Sequence, residues 1–154
     1  VSRALVEAHP YEEPAYDFYP LANQWTQAGA GIVGELAEEM SETDFLQLVK
    51  RTFGAGCVKH SRPTGRPVRK VALCGGAGAF LLPKAASCGA DTFITGEVKY
   101  HDYFSYEGKI LITEIGHYES EQYTTEIFQT LLQEHFPSLN TQITGIDTNP
   151  IKYL

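Results

Sequence analysis

The amino-acid sequence predicts an α/β fold in which a mixed or parallel sheet is flanked by helices. From residue 71 onward, short apolar runs of strand character alternate with longer stretches whose apolar residues recur at helical spacing. Alternating strands and helices form sheets of neighbouring parallel strands with helices packed against them. The chain has 154 residues, of which 43% are apolar, so it is long enough for one domain with a buried core.

Residues 1–31 predict a short β segment followed by a linker. Two strand-like runs enclose a turn-rich middle at residues 9–14, and the second run, residues 15–19, alternates in side-chain character. A stretch rich in Gly and Ala then ends the segment. We expect the main α/β unit to span residues 32–154 and to begin with a strand at residues 32–36.

The main unit is predicted to continue with a helix that begins at Ser41. Asp44 stands three residues later, as in a capping box, and apolar residues from Phe45 to Phe53 line one face. Four further strands are predicted, at residues 71–74, 91–95, 109–115 and 141–146. Three helices are predicted between them, at residues 79–88, 98–106 and 119–135. The last helix is amphipathic, and we expect four of its side chains to face the core: Ile127, Phe128, Leu131 and Leu132.

Charge and composition exclude several classes of function. The net charge of −7 and the pI of about 5.2 disfavour a generic nucleic-acid binder and give no attraction to an anionic membrane. No apolar run approaches the roughly 18 residues of a membrane-spanning helix. The three cysteines form no CxxC pair, which indicates a reducing compartment, so we expect a cytoplasmic protein. Because the sequence opens in a strand-like run without Met, we also expect a fragment of a longer protein.

A glycine-rich turn follows the predicted strand at residues 71–74. It contains the first two glycines of a dinucleotide-binding GxGxxG pattern, with Leu81 at the third position, and Glu97 follows about 20 residues later, where a ribose-binding acid would stand. Pro83 inside the next helix is unfavourable to that interpretation. The preferred interpretation is a tight strand-to-helix turn whose backbone amides could still face an anion.

Two consecutive predicted strands end in polar residues that are able to bind metals. The first is followed by Glu97 and His101, and the second by His117 and Glu121. The carboxyl ends of neighbouring parallel strands meet at one edge of a sheet, where ligand sites form. His117 and Glu121 are four residues apart and therefore share one face of a helix. An imidazole and a carboxylate suit Zn, Fe, Mn or Co in a site with an open position.

The same residues have a simpler interpretation, which the spacing leaves open. Glu121 would then lie in the first turn of a helix, where the helix dipole favours an acid, and His117 would be a loop residue. Glu97 would lie at a solvated helix start. The remaining histidines are expected to have structural or surface roles: His9, His60 and His135.

Four ordered motifs carry a resemblance to a known family. They are HPYEEPAYD at residues 9–17, CGGAGAF at 74–80, GADTFITGE at 89–97 and GHYESE at 116–121. Together they resemble the Nif-three-like family (NGG-one interacting factor three), whose members are often named GTP cyclohydrolase 1 type 2 homologues. The resemblance implies a two-lobed α/β fold with two divalent metals between the lobes. The first motif is similar to the end of a ferredoxin-like, PII-related insert, which makes residues 1–31 a remnant of that insert.

The resemblance also implies roles for particular residues. His117 and Glu121 match the family's C-terminal metal ligands, and Glu97 and His101 match polar positions of the same cleft. Tyr100 stands where many relatives have another histidine. The family's N-terminal lobe, with its paired histidines and an aspartate, has no counterpart here. We therefore expect two metal ions (Zn, Fe or Mn) per full-length protomer and an incomplete site in this chain.

These expectations lead to a metal-dependent, GTP cyclohydrolase-like hydrolase that acts on a nucleotide-like or other small polar substrate. Glu97 or His101 would transfer protons in its catalytic step. The alternative, from another class, is a metal-binding regulatory or interaction protein without turnover, whose insert senses a metabolite. The resemblance further implies a homo-oligomer, and this chain alone is expected to be inactive.

Overall fold

The computed structural model describes residues 1–23 and 28–154, which form a five-stranded mixed sheet with flanking helices. The strands are β1 (Ile32–Met40), β2 (Lys59–His60), β3 (Val68–Cys74), β4 (Thr92–Thr95) and β5 (Leu111–Glu114). Their spatial order is β1-β3-β4-β5-β2. The central strands β3, β4 and β5 are parallel, and β1 and β2 pair with them antiparallel at the two edges. The predicted fold class is thus confirmed.

Six α-helices and one 3₁₀ turn accompany the described strands. The helices are α1 (Ser2–Ala8), α2 (Glu42–Thr52), α3 (Leu82–Ser87), α4 (Tyr100–Ser105), α5 (His117–Glu121) and α6 (Thr124–His135). The 3₁₀ turn, Gly78–Leu81, leads directly into α3. Pro83 stands in the first turn of α3, where its missing N–H leaves no hydrogen bond unmade. None of the helices in the described parts of the chain is long and apolar enough to cross a membrane.

The central strands are buried on both faces. Phe93 and Ile112 pack into one cluster, on the side of α3, while Ile94 and Leu111 pack into the other, on the side of α2. Successive residues of a strand point to opposite faces, so this division follows from the pleat of the sheet. All residues of β4 and β5 are buried, including the threonines that alternate with the apolar side chains, as expected for parallel strands covered on both sides.

Helix α2 begins as its capping pattern predicts. The Ser41 hydroxyl accepts a hydrogen bond from the Asp44 amide at 3.1 Å. A second interaction was not predicted: the buried Glu42 carboxylate accepts hydrogen bonds from the backbone N–H groups of Thr64 at 2.7 Å and Gly65 at 2.9 Å. Glu42 thereby fixes the connector between β2 and β3 to the start of the helix.

The predicted β segment at the start of the chain is wrong. Its first run is the helix α1, stabilised by an Arg3–Glu7 pair at i,i+4 spacing, and no strand precedes β1 in the described residues. An isolated strand has no partner for its backbone groups, whereas a helix satisfies them internally. The predicted linker falls partly on residues 24–27, which lie outside the described residues. The division of the chain at residue 31 stays a prediction.

The predicted C-terminal elements also need correction. The single helix predicted at residues 119–135 is two helices, because Gln122 and Tyr123 between them donate side-chain hydrogen bonds to carbonyls at the end of α2. Residues 141–146 form no strand; Thr141 instead accepts hydrogen bonds from Gln129 and Gln133 of α6. Four side chains expected in the core are exposed on α6: Ile127, Phe128, Leu131 and Leu132.

Candidate metal centre

The three parallel strands end at one edge of the sheet, and the polar residues predicted to bind metals follow two of them. Thr95 at the end of β4 pairs with Cys74 of β3 and Glu114 of β5. Glu97 follows β4 by two residues, and His117 follows β5 as the first residue of α5. The order of the strands therefore brings segments that are 20 residues apart in sequence to the same rim.

His117 lies between two carboxylates at this rim. Its Nδ1 atom is 2.7 Å from Glu97 Oε1, and its Nε2 atom is 3.3 Å from Glu121 Oε2. The hydrogen bond to Glu97 raises the pKa of His117, as do the charges of both carboxylates, while burial opposes the rise. Because metals bind the neutral imidazole, protons compete with a metal for this histidine.

The glycine-rich turn after β3 closes over this pair of ligand-type residues. Gly76 has a φ of +59°, and a Cβ atom at this position would lie 2.4 Å from Glu121 Oε1 and 3.4 Å from His117 Nε2. A glycine is therefore required here both by backbone conformation and by the space that the two side chains occupy. Its absent side chain leaves the gap into which Nε2 and the Glu121 carboxylate project.

The amides of the same turn are largely used inside the protein. Gly76 N–H donates to the Ser120 hydroxyl at 2.8 Å, and Gly78 N–H donates to the Thr95 hydroxyl at 3.1 Å. Gly76 C=O in turn accepts from the Gly96 and Glu97 amides. The tight strand-to-helix turn predicted from the sequence is confirmed, but the amides of Gly76 and Gly78 are not free to face an anion. They tie the turn to β4 and α5 instead.

Helix α5 carries a buried carboxylate, Glu119, that was not predicted from the sequence. Glu119 is only 5% exposed, and its Oε1 atom accepts from Asn149 Nδ2 at 3.2 Å, while its Oε2 atom has no hydrogen-bond partner among the described residues. Gly116, with a φ of +98°, is the turn into α5, and a Cβ there would meet Glu119 Oε2. The sequence feature that could have indicated this buried acid is Gly116, directly before His117, with Glu119 three residues after the glycine.

A second buried acid, Glu114, ends β5 beside the site. Its carboxylate pairs with Lys59 of β2 and accepts a hydrogen bond from the Tyr103 hydroxyl at 2.7 Å. Burial, together with this hydrogen bond, raises the pKa of Tyr103 far above its usual range. Lys59 lies on β2 and Tyr103 on α4, so Glu114 anchors both elements to the central sheet.

His101, the other predicted catalytic residue, lies apart from the pair of ligand-type residues. It is an exposed residue of α4, and its ring packs edge-on against Tyr100 at 5.5 Å between centroids. It is not among the residues that line the cavity beside His117. The structure therefore brings together Glu97, His117 and Glu121 and leaves His101 outside that group.

The residues present fit part of a divalent-metal site. Nε2 of His117 and the carboxylate of Glu121 converge beside the gap at Gly76, and these are donor types that Zn, Fe and Mn accept. Glu97 contacts the opposite edge of the imidazole, so it does not converge on the same point. Within residues 1–23 and 28–154, no group of three or more His, Cys, Asp or Glu side chains is arranged to hold a metal ion.

A cavity of about 610 Å³ opens beside the pair of ligand-type residues. One side is formed by Glu97, His117 and Glu121. The other side is formed by the C-terminal segment, which we define as residues 143–151. This segment has no regular secondary structure, yet it supplies about half of the residues that line the cavity.

The fold and the rim define an α/β protein with ligand-type side chains at the carboxyl edge of a mixed sheet. Many unrelated proteins share such an arrangement, so the family of this chain follows from sequence similarity and not from the fold alone. The chain belongs to the Duf34/NIF3 (NGG1p interacting factor 3) family, whose sequence pattern matches residues 4–150.

Curated relatives and solved structures agree with this assignment. The chain is 34% identical to the GTP cyclohydrolase 1 type 2 homolog of Staphylococcus epidermidis, over 98% of this chain and 42% of the relative. It is 30% identical to the Bacillus subtilis protein of the same name, over 100% of this chain and 42% of that protein. It thus spans less than half the length of these relatives.

Two crystal structures have the same fold. The Bacillus cereus protein related to NIF3 is 32% identical with a TM-score of 0.70, covering 99% of this chain and 43% of the other. Staphylococcus aureus protein SA1388 has a TM-score of 0.75 at 24% identity, covering 99% of this chain and 51% of the other. At that identity the second likeness shows the fold alone.

Proposed function

We propose that this chain supplies one part of a dinuclear divalent-metal site in a metal-dependent hydrolase that acts on a nucleotide-like or other small polar substrate. The observation that carries the proposal is the pairing of His117 Nε2 with the Glu121 carboxylate beside the gap at Gly76. The printed names of the relatives, GTP cyclohydrolase 1 type 2 homolog, support the nucleotide-like substrate. The remaining ligands would come from outside the described residues.

In this proposal each residue of the rim has a distinct task. Glu97 accepts the Nδ1 proton of His117 and thereby directs Nε2 towards Glu121. Glu97 lies in reach to transfer a proton as well. His101, for which the same role is proposed, lies on α4 and is not among the residues that line the cavity. A bound metal would supply positive charge that polarises a substrate or water oxygen.

Metal binding itself is the first experiment. We expect weak or no zinc or manganese binding by this chain alone, and tight binding by the longer protein expected from the sequence, because two protein donors are too few for a closed site. In the longer protein, His117→Ala should lower the metal content measured by elemental analysis. His135→Ala is the matched control, since His135 is an exposed residue at the end of α6. Unchanged metal content in His117→Ala would contradict the ligand assignment.

Turnover separates the hydrolase from its alternative, a metal-binding regulatory or interaction protein. The metal-loaded longer protein should hydrolyse GTP or a related nucleotide, and Glu97→Gln should slow that reaction more than it weakens substrate binding. Binding without turnover across a panel of nucleotides would favour the regulatory protein. In either case we propose a homo-oligomer, supported by the exposed apolar face of α6, and a cytoplasmic location, supported by the three free cysteines.

A further inference from the structure

Helix α5 carries both ligand-type residues, and it is too short to be stable alone. It has only five residues, so contacts with the rest of the chain have to fix its position. His117 and Glu121 share the face towards the gap at Gly76. Glu119 lies two residues from each of them, about 200° around the helix axis, and therefore points to the opposite side. The contacts of Glu119 thus decide how the helix is rotated.

Two contacts outside the face of Glu119 hold α5. The Ser120 hydroxyl accepts a hydrogen bond from the Gly76 amide at 2.8 Å. Directly after the helix, Gln122 Nε2 donates to the Phe53 carbonyl at 2.9 Å. Two fixed points still leave rotation about the line between them. A third contact, on the opposite face, is therefore needed to fix the directions of the two ligand-type side chains.

Asn149 of the C-terminal segment makes such a contact. Its Nδ2 atom donates to Oε1 of Glu119 at 3.2 Å, and Glu119 is a buried residue. A hydrogen bond to an ionised acceptor is stronger than one between neutral groups, and burial strengthens it further. Asn149 thereby joins the back of α5 to a segment that lies 30 residues later in the chain.

The Asn149 side chain is held in the direction that this contact needs. Its Oδ1 atom accepts from the Ile151 amide at 3.0 Å, which turns Nδ2 towards Glu119. The Asn149 amide itself donates to Asp147 Oδ1 at 2.9 Å. Such side-chain-to-backbone bonds two residues apart define Asx turns, which form locally. The hydrogen-bond donor to α5 is therefore oriented in advance by its own segment.

Tyr153 fixes the chain after Asn149 against the body of the protein. Its ring lies against Gly56, where an added Cβ atom would come within 2.6 Å of Tyr153 Cδ2. Its hydroxyl lies 3.3 Å from the position that a Cβ atom of Gly116, the residue before α5, would occupy. Burial raises the pKa of Tyr153, and the charge of Glu119 adds to the rise, as expected for a phenol near that carboxylate. The chain directly after Asn149 is thus held in place.

We infer that Asn149 is a positioning residue, which fixes the rotation of α5 through Glu119 and so directs His117 and Glu121 to the point where a metal would bind. That a metal binds there rests on the proposed function. Outer contacts of this kind orient metal ligands, and their loss lowers metal affinity by about 10–100-fold. The alternative is a purely structural role, in which Asn149 stabilises its own segment without any effect on His117.

The first test follows the imidazole of His117 in the 154-residue chain without metal. Asn149→Ser keeps an acceptor for the Ile151 amide but is too short to reach Glu119. At alkaline pH, where the imidazole is neutral, wild-type His117 should carry its proton on Nδ1, which lies 2.7 Å from Glu97. Asn149→Ser should increase the fraction protonated on Nε2, because rotation of α5 lengthens the contact with Glu97. Long-range ¹H–¹⁵N correlation NMR measures this tautomer ratio.

Two variants serve as controls for the tautomer measurement. Asn140→Ser makes the same change at an exposed position and should leave the tautomer ratio unchanged. Glu119→Gln keeps a side-chain oxygen that can accept from Asn149, so it should keep the wild-type ratio. Asn149 lies outside the helices and strands, so Asn149→Ser should still fold, which circular dichroism checks. A lower melting temperature with an unchanged tautomer ratio in Asn149→Ser would mean a purely structural role and would overturn the inference.

The second test measures the manganese affinity of the longer protein by titration calorimetry. Asn149→Ser should weaken manganese binding about tenfold, whereas Asn140→Ser and Glu119→Gln should not change it. An unchanged affinity in Asn149→Ser, in a protein whose metal content depends on His117, would overturn the inference and leave the metal site standing. If metal content is independent of His117 while the tautomer ratio still follows Asn149, the proposed function is wrong and the positioning of α5 stands.

Discussion

Strands β3–β5 and helix α6 are both rich in apolar residues, but only the strands are covered. Phe93 of β4 is 1% exposed, whereas Phe128 of α6 is 61% exposed. Both segments show a clear apolar pattern in the sequence, yet the pattern of α6 has no partner among the described residues. The difference shows that apolar periodicity predicts which face of a helix or strand is apolar, but not which residues pack against that face.

The largest expected effect tests this difference with one substitution at two sites. Phe93→Ala should lower the free energy of unfolding by about 3–5 kcal/mol, because it opens a cavity in a packed core. Phe128→Ala should change it by no more than about 0.5 kcal/mol at low protein concentration. Urea denaturation of both variants measures this directly. Comparable losses would mean that α6 is packed against the rest of the chain after all.

The next effect concerns the anchoring of the connector by Glu42. Glu42→Ala should cost about 1–3 kcal/mol, since it leaves the Thr64 and Gly65 amides without their buried acceptor. Glu38→Ala, at an exposed position of β1, serves as control and should be nearly neutral. Thermal unfolding of both variants would show whether the buried part of the fold depends on this carboxylate. A neutral Glu42→Ala would mean that the connector is fixed by other contacts.

The oligomeric state of the chain in solution tests whether a second copy covers the apolar face of α6. We expect the chain to be at least a dimer, because the four exposed apolar residues of α6 drive contact between copies. Phe128→Glu should shift the population towards monomer in multi-angle light scattering, and Glu126→Gln on the same helix should not. A wild-type monomer at high concentration would rule this association out.

The smallest effect is a pH dependence at the rim. Because the folded protein raises the pKa of His117, the protonated form is the one that folding favours. This contribution to stability is fully present below the ordinary histidine pKa of about 6.5 and is lost as the pH rises through the higher folded value. Glu97→Gln should lower the His117 pKa in an NMR titration, whereas Glu126→Gln should leave it unchanged. Equal titration curves would show that the Glu97 contact is absent in solution.

The sequence predicted the part of the molecule that local pattern determines. The strands around Phe93 and Ile112, the Ser41 cap and the helical spacing of His117 and Glu121 follow from apolar periodicity and short-range chemistry. Placing Glu97 near His117 needed one further step, the rule that parallel strands end at a common edge.

The rest depended on contacts between residues far apart in sequence. Glu119 is buried because Asn149, 30 residues later, reaches its carboxylate, and no local pattern encodes that meeting. Helix α6 begins anew at Thr124 because Gln122 and Tyr123 bond to the end of α2, about 70 residues earlier. The roles of Glu97, His101, His117 and Glu121 stay predictions.

Strand β1 has a consequence for how copies of this chain meet. It is a nine-residue strand that, within the described parts of the chain, pairs only with β3, so its outer backbone groups could add a strand from another molecule. Glu35, Glu38 and Glu39 lie along it, and two such strands brought side by side would align like charges. These acids make the free edge of β1 repel the same edge of a second copy of the chain. Replacing all three acids with Gln should cause the protein to aggregate through intermolecular pairing of β1 strands.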